Sequence, residues 1–469
     1  MLSEPTVWRN RSPGDTRVEL PEIHRTDVST AIASAKRAVS WSKLSLLERI
    51  ECLRNAHRAL SDAQEPLARG IALETGKPIK EARSEVGAVM SKFELTFEDA
   101  AQHLSDLEVT GGPHPARVRR RPRGLAAVVS PFNFPLHLGH GATLAHLLAG
   151  NPVLLKPSPL AAAVVADYVE RMQSVLPEGV LTLVQGGGAT AAELCSHPAV
   201  RSICFTGSAA VGKGLLRSLA DDLGKEVALE LGGKNAVIVC ADAAIESAAT
   251  AVAEGLCLTA GQRCNATSRV LVDRRIAAPF LEVLVEAVKR FIPGDPLNES
   301  TRLGPLIKAS AVERYGRFVR STKGEWLLPG GVLAAADGLP GHYVQPAIVR
   351  LDPVPRGPAS LLTEEAFCPI LAVQEFGTPA EAIALNNSTD YGLSCSIFTQ
   401  DEALFWQIAD EVSDANVYAN LPTTFSPSTL PFGGWNESGN RRPGGRGFIR
   451  FVSHEQAIQI CKGSWLVHS

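Results

Sequence analysis

The chain has no Cys-x-x-Cys pair and no Cys/His cluster at metal-ligand spacing, and its nine cysteines are an odd number. No disulfide framework or metal site is therefore expected; reduced thiols in a cytoplasmic protein are. There is no uninterrupted apolar run of about 18 residues, and the first ten residues lack an apolar signal core, so neither export nor membrane insertion is predicted. A formal net charge of −3 on 469 residues provides no field for nucleic acid or an anionic bilayer. Internal repeats and low-complexity tracts are also missing. What remains is an ordinary globular composition, 45 % hydrophobic and 20 % charged, with a mean hydropathy of +0.05. At this length one hydrophobic core is exceeded, and two lobes of about 150–250 residues are expected. The one dense basic run, Arg117 to Arg123, reads as a solvated hairpin edge protected by charge.

From Asp27 to about Ala101 apolar residues recur at helical spacing, as at Ile50, Leu53 and Leu60, with Gly76-Lys-Pro78 as a break. After Gly111 the pattern changes to short apolar runs at 126–130, 153–156, 181–185, 202–206 and 227–231, each followed by a Gly/Pro/Ser turn and a helical stretch. That alternation predicts a parallel sheet covered on both faces. A second series starts at Ala236, continues through a helix at 243–257, a strand at 269–273 and a helix at about 277–291, and predicts a second α/β lobe. Residues 324–341, rich in Gly, Pro and Ala, read as a loop with weak strands.

The chemistry concentrates on one thiol and one carboxylate. Cys264 lies in the small-residue loop Thr259-Ala-Gly-Gln-Arg-Cys264, where backbone N–H groups and Arg263 are expected to lower its pKa and make it a nucleophile. Glu230 ends an apolar strand just before Gly232-Gly233, so its carboxylate is expected at the strand's carboxyl end, partly buried, with a raised pKa suited to general-base work on water. Most buried cysteines are structural, and the other eight are read so. Asn133, between Phe132 and Phe134-Pro135, is a candidate oxyanion donor. Lys156 and Ser158 end a strand, and Gly207, Ser208 and Gly212 follow another; a lysine for ribose hydroxyls and a small-residue turn for pyrophosphate suit a dinucleotide. Taken alone, that glycine spacing also fits an ordinary strand-to-helix turn.

Together these residues resemble the aldehyde dehydrogenase superfamily. The motifs carrying the resemblance occur in family order: Pro131-Phe-Asn-Phe-Pro135, Lys156-Pro-Ser158, Phe205-Thr-Gly-Ser208 with Gly212, Glu230-Leu-Gly-Gly233, Gly261-Gln-Arg-Cys264, Glu364-Glu-Ala-Phe-Cys-Pro369 and Pro431-Phe-Gly-Gly434. The resemblance implies a doubly wound cofactor domain (1–103 and 124–232), a second α/β catalytic domain (233–437) and a small β oligomerisation arm (104–123 and 438–469), assembling as a homodimer or homotetramer. It implies Cys264 as nucleophile, Glu230 as base and Asn133 as oxyanion donor. It places NAD, or NADP, on Phe132, Lys156, Ser158, Gly207, Ser208, Gly212, Glu365 and Phe367. The implied reaction is oxidation of an aldehyde to its acid through a cysteine thioester hydrolysed by glutamate-activated water.

Residues 133–138 and 431–443 look like the succinylglutamate semialdehyde dehydrogenases, which implies a semialdehyde such as N-succinylglutamate 5-semialdehyde. Arg441 and Arg442 are candidates for pairing with a substrate carboxylate. Three positions depart from the family pattern. Cys368 stands where a glycine is usual, which would crowd the nicotinamide loop, and Phe132 where Trp is common. Pro159 stands where NAD-preferring members often carry a glutamate for the adenosine ribose. These leave open an NADP-linked oxidation of aromatic or aliphatic aldehydes and a catalytically silent dinucleotide-binding subunit. His137, His140 and His146 lack acidic or thiol companions and are read as packing or hydrogen-bonding residues rather than metal ligands.

Overall fold

A computed structural model describes residues 4–112, 114–351 and 361–461; the ends of the expected first domain and arm, 1–3 and 462–469, lie outside the described residues. A ribbon of β1 (Val7–Trp8) and β2 (Ile23–His24) precedes four helices, α1 (Val28–Arg37), α2 (Leu46–Ser61), α3 (Gln64–Thr75) and α4 (Ile79–His103). Local chemistry sets their ends. Ser45 and Glu48 form a capping box at the start of α2, and Gly76, at φ 75°, ends α3 in the left-handed conformation a glycine adopts without strain. Then come β3 (Leu107–Val109) and β4 (Ala116–Pro122).

From Leu125 strands and helices alternate: β5 (Leu125–Val129), α5 (His137–Leu148), β6 (Val153–Lys156), α6 (Ala162–Gln173), β7 (Leu181–Leu183), α7 (Gly188–Ser196), β8 (Val200–Thr206), α8 (Ala209–Ser218) and β9 (Glu226–Glu230). The second series is β10 (Ala236–Val239), α9 (Ile245–Cys257), β11 (Arg269–Asp273), α10 (Ala277–Lys289), α11 (Ala309–Ser321), β12 (Glu325–Leu328), β13 (Gly331–Ala336), β14 (Leu339–Gln345), β15 (Ala347–Arg350), β16 (Ile370–Phe376) and α12 (Pro379–Asn386). It continues with β17 (Tyr391–Gly392), β18 (Ser394–Phe398), α13 (Glu402–Ala409) and β19 (Asn416–Ala419). Short strands β20 (Pro431–Phe432), β21 (Trp435–Asn436), β22 (Gly439–Asn440) and β23 (Gly444–Gly445) lead to β24 (Ser453–Gln459).

The first sheet has the order β22-β9-β8-β5-β6-β7, parallel except for β22 on its edge. The chain starts in the middle at β5, winds outward through β6 and β7, then returns to β8 and β9. The switch point, where α/β sheets open a crevice at their carboxyl ends, therefore lies between β5 and β8. The second sheet, β12-β15-β16-β11-β10-β18-β19, is parallel apart from β12. The inner strands of both sheets are buried and rich in Val, Ile, Leu and Ala, as a sheet covered on both faces requires.

Two readings of the sequence are corrected. Arg117 to Arg123 is not a solvated edge: β4 is the central strand of a three-stranded sheet, paired along its length with β24 and also with β3. Its arginines meet carboxylates instead of water alone, Arg117 pairing with Glu108, Arg119 with Asp106 and Arg120 with Glu455. Residues 324–341 are not a loop with weak strands. β13 and β14 form a hairpin closed by Asp337 and Gly338, at φ 51° and 75°, the positive pair that a two-residue turn between twisted strands demands. In addition, β22 joins the first sheet, so part of 438–469 belongs beside β9 rather than to the arm. No described helix is long and apolar enough to cross a membrane.

Candidate active site

Cys264 sits on the loop between α9 and β11, at the amino end of the second sheet and opposite the carboxyl end of the first. The approach to it is strained: Thr259, Ala260 and Gly261 have φ of 54°, 53° and 69°, and a non-glycine residue in this region costs about 1–3 kcal/mol. Surrounding bonds hold the loop there. The Glu81 carboxylate accepts from Thr259 N (3.2 Å), Thr259 Oγ1 (2.8 Å) and Arg263 Nη2 (2.8 Å). Asn235 Nδ2 donates to the carbonyls of Cys264 and Ala266, both at 2.8 Å, while its Oδ1 accepts from Ser394. Asn133 Nδ2 donates to the Gln262 carbonyl at 2.9 Å, and Gln262 Oε1 accepts from Ile307 N.

The thiol does not have the lowered pKa expected of it. Burial raises it well above the ordinary cysteine value, and the carboxylates of Glu230 and Glu365 push it further the same way. Arg263, the cation expected to help, is bound to Glu81 and lies 4.9 Å from the Phe134 ring. Glu230, the last residue of β9, is 2 % exposed and neither of its carboxylate oxygens has a hydrogen-bond partner. Burial pushes its pKa up to about 8, with Arg442 opposing, as expected of a charge taken out of water. Cys264 and Glu230 line one cleft of about 670 Å³, together with Thr206, Phe134, His137 and Lys92. A more open hollow of about 840 Å³ beside Lys43, Arg119 and Arg121 contains none of the candidate residues.

At the carboxyl ends of the first sheet the remaining candidates converge. Lys156, at the end of β6, is 3 % exposed and its Nζ bonds to the Pro157 carbonyl. Ser158 Oγ accepts from Leu160 N, and Ser208 caps the N-terminus of α8 by accepting from Val211 N. Gly212 lets α8 approach β9: a Cβ there would stand 2.8 Å from Leu231 Cδ2. At Gly207 it would stand 2.5 Å from the Phe205 ring. From the other lobe Glu365 Oε1 accepts from Gly233 N at 3.1 Å, and Phe367 meets Phe132 edge to face at 6.0 Å. A capped helix N-terminus beside glycines, with a buried lysine two strands away across the switch point, suits a dinucleotide's pyrophosphate and ribose.

A family model described as "Aldehyde dehydrogenase family" matches residues 4–458. The chain belongs to the aldehyde dehydrogenase family. The N-succinylglutamate 5-semialdehyde dehydrogenase 1 of Caulobacter vibrioides is 34 % identical over 94 % of this chain and 93 % of its own. The 4-trimethylaminobutyraldehyde dehydrogenase of Mus musculus is 33 % identical over 93 % and 89 %. Among solved structures, PnpE, in complex with nicotinamide adenine dinucleotide, superposes with a TM-score of 0.91 at 31 % identity, over 97 % of this chain and 94 % of that one. The protein is an NAD(P)-dependent aldehyde dehydrogenase.

Three of the dehydrogenase's candidate positions behave differently from expectation. Arg441 is exposed and pairs with Glu226, while Arg442 Nη2 donates to the carbonyls of Ala415 and Pro431 and to Asn416 Oδ1; neither lines the cleft. Cys368 packs into the core under the second sheet, where burial pushes its thiol up to about 12, so it does not crowd the loop it follows. His140 Nδ1 bonds Tyr168 Oη at 2.7 Å and His146 Nδ1 meets Asn151, as packing histidines do, but His137 Nε2 faces the cleft region with no partner.

Four residues escaped the sequence reading. Glu81 and Asn235 anchor the Cys264 loop, and Lys234 is a buried amine without a hydrogen-bond partner, its pKa pushed down to about 7 by burial and Arg269, with Glu365 opposing. Glu4 reaches across from the N-terminal segment: Oε2 accepts from Thr190 N and Oγ1, Oε1 has no partner, and its charge acts on Lys156. Lys234 and Asn235 directly follow Glu230-Leu-Gly-Gly233, a signal that was available; for Glu4 and Glu81 no local motif marks the role.

Proposed function

We propose that the enzyme oxidises an aldehyde through Cys264 and hydrolyses the resulting thioester through Glu230. The observation that carries this reading is a buried carboxylate without a hydrogen-bond partner on the same cleft as a thiol whose loop is fixed from three sides. Cys264 gives up its proton to solvent in the cleft, and the thiolate adds to the carbonyl carbon. The oxyanion accepts hydrogen bonds from the Cys264 backbone N–H and from the second N–H of Asn133 Nδ2, whose first is spent on Gln262. When bound, NAD(P) supplies the hydride acceptor. The carbon, having lost hydride, remains on sulfur as a thioester. Glu230 then removes a proton from water as it attacks, the acid leaves, and the thiolate is restored.

Lys156, Ser158, Gly207, Ser208 and Gly212 would hold the adenosine and pyrophosphate, and Glu365, Phe367 and Phe132 the nicotinamide end. The Glu4 carboxylate beside Lys156 stands against a 2′-phosphate and favours NAD over NADP. The substrate reading is a semialdehyde such as N-succinylglutamate 5-semialdehyde, supported by the likeness to the Caulobacter vibrioides relative. The subunits pair through the open edges of the three-stranded sheet, where Leu107 and Val109 on β3 are exposed, giving a homodimer or a dimer of dimers. Nine cysteines, an odd number with no Cys-x-x-Cys pair, suit the cytoplasm. The test is alkylation: iodoacetamide is expected to label Cys264 with loss of activity in step, and NAD is expected to slow that labelling, located by peptide mapping. Full turnover by Cys264→Ala would refute the reading.

A further inference from the structure

One wall of the cleft is a single face of α4, which presents Glu81, Glu85, Ala88, Lys92 and Leu95 at helical spacing. The other charges there are committed. Glu81 binds Arg263, and Glu85 binds Lys77 and accepts from the backbone N–H groups of Leu136 and His137 at 3.0 and 3.2 Å. Lys92 differs. It is 7 % exposed, lines the cleft, and has no hydrogen-bond or ion-pair partner among the described residues. Its stem reaches the cleft over Gly141, where a Cβ would stand 3.2 Å from Lys92 Cε. The Asp99 carboxylate acts on it only from beyond hydrogen-bond reach, and a buried ammonium without a direct partner is costly unless something brings the charge. Burial lowers its pKa to about 8, which leaves it cationic at neutral pH.

Two further polar atoms on the same cleft are also buried and unpartnered, Ser130 Oγ and His137 Nε2. His137 is held neutral by burial, then by Lys92 and Lys77, with its pKa pushed down to about 3. A neutral imidazole and a hydroxyl can both donate to an anion. Among the described residues Lys92 is the one buried cation on the cleft without a hydrogen-bond or ion-pair partner, Lys80 being exposed. The N–H groups of Leu136 and His137 are already given to Glu85, so the group recognised carries one negative charge. A carboxylate fits that arrangement better than a phosphate dianion. Lys92 lies about three turns along α4 from Glu81, which grips the residue beside Cys264, so the carboxylate it would bind is remote from the aldehyde carbon.

We propose that Lys92, with His137 Nε2 and Ser130 Oγ, binds the remote carboxylate of the substrate, so that the enzyme's substrates are ω-carboxylated aldehydes. This rests on the thioester reading above and replaces Arg441 and Arg442 as the site of carboxylate recognition. A trimethylammonium aldehyde would meet Lys92 as a like charge. The experiment measures kcat and KM with NAD for glutarate semialdehyde, its methyl ester and 4-trimethylaminobutyraldehyde in the wild type, Lys92→Met and Lys92→Arg.

The wild type is expected to prefer the acid over the ester. Lys92→Met should raise KM for the acid about 10- to 100-fold, the worth of one charge-assisted hydrogen bond, with kcat and all ester parameters nearly unchanged. Lys92→Arg should recover most of the loss, and the thermal midpoint of Lys92→Met should be equal to or above that of the wild type. Equal losses on acid and ester, an unchanged acid KM, or a wild-type preference for the ester or the trimethylammonium aldehyde would overturn the assignment. NADH formation by Cys264→Ala in the same assays would instead overturn the parent reading.

Discussion

The two sides of the cleft are held in opposite ways. Around Cys264 the loop is gripped from several sides: Glu81, Asn235 and Asn133 each bind it, and together they hold three consecutive residues at positive φ. Around Glu230 the reverse holds, with a carboxylate buried at the end of a strand and bonded to nothing. A nucleophile must meet its carbonyl at one angle and distance, so rigidity serves it. On the proposed mechanism the base takes a proton from a water that moves as it attacks the thioester, and an unpartnered side chain is free to follow it. Strain and an orphaned carboxylate, both costly to the fold, thus mark complementary needs of one reaction.

The largest test of that contrast removes the thiol. Cys264→Ala is expected to lower steady NADH formation at least about 1,000-fold with the fold intact, as loss of a covalent nucleophile does; circular dichroism and turnover measured together check it. Next comes Asn235→Ala, which leaves the buried carbonyls of Cys264 and Ala266 without donors at about 1–3 kcal/mol each. Its thermal midpoint should fall and kcat should drop about 10- to 100-fold, whereas an unchanged kcat would mean that the loop needs no clamp.

Glu81→Gln sharpens the comparison. It weakens the hold on Arg263, so the freed guanidinium lowers the thiol pKa and speeds iodoacetamide alkylation at pH 7 several-fold while turnover falls. A slower alkylation would contradict the account. Smaller still is Glu4→Gln, expected to raise kcat/KM with NADP relative to NAD about three- to tenfold by removing a carboxylate near Lys156; a constant ratio would free Glu4 of that role. The pH dependence follows from the sign of the Glu230 shift. Its pKa is raised to about 8 by burial, so the group is protonated below that pH and acts as a base above it. Thioester breakdown in single-turnover experiments should therefore rise with pH through about 8 and then level off.

Much of this was legible in the sequence where chemistry and local pattern coincide. The strands ending at Val129, Lys156, Thr206 and Glu230 announce themselves as apolar runs cut by glycine or proline, and they carry the candidate residues at their carboxyl ends. The Cys264 loop was legible as a position but not as an environment: Arg263 reads as a helper of the thiol, and only the fold brings Glu81 to claim it. Glu81 and Lys92 lie on a helix whose charges look like a solvated face, because periodicity alone does not say that the face opposite the core borders a cleft. Arg441 and Arg442 show the converse error, since charge beside a glycine-rich loop suggests a ligand site while Arg442 is bound to main-chain carbonyls. The β13–β14 hairpin carried its signal in Asp337-Gly338, hidden by the glycine content around it.

The most direct measurement is stopped-flow NADH formation by Glu230→Gln mixed with saturating NAD and an oxidisable aldehyde. The account predicts a burst of about one NADH per active site followed by a stall, because a glutamine accepts no proton from water and the thioester stays on Cys264. Steady turnover at the wild-type rate, or no burst in a chain whose thiol still reacts with iodoacetamide, would contradict the claim that the orphaned carboxylate at the end of β9 delivers water to the thioester.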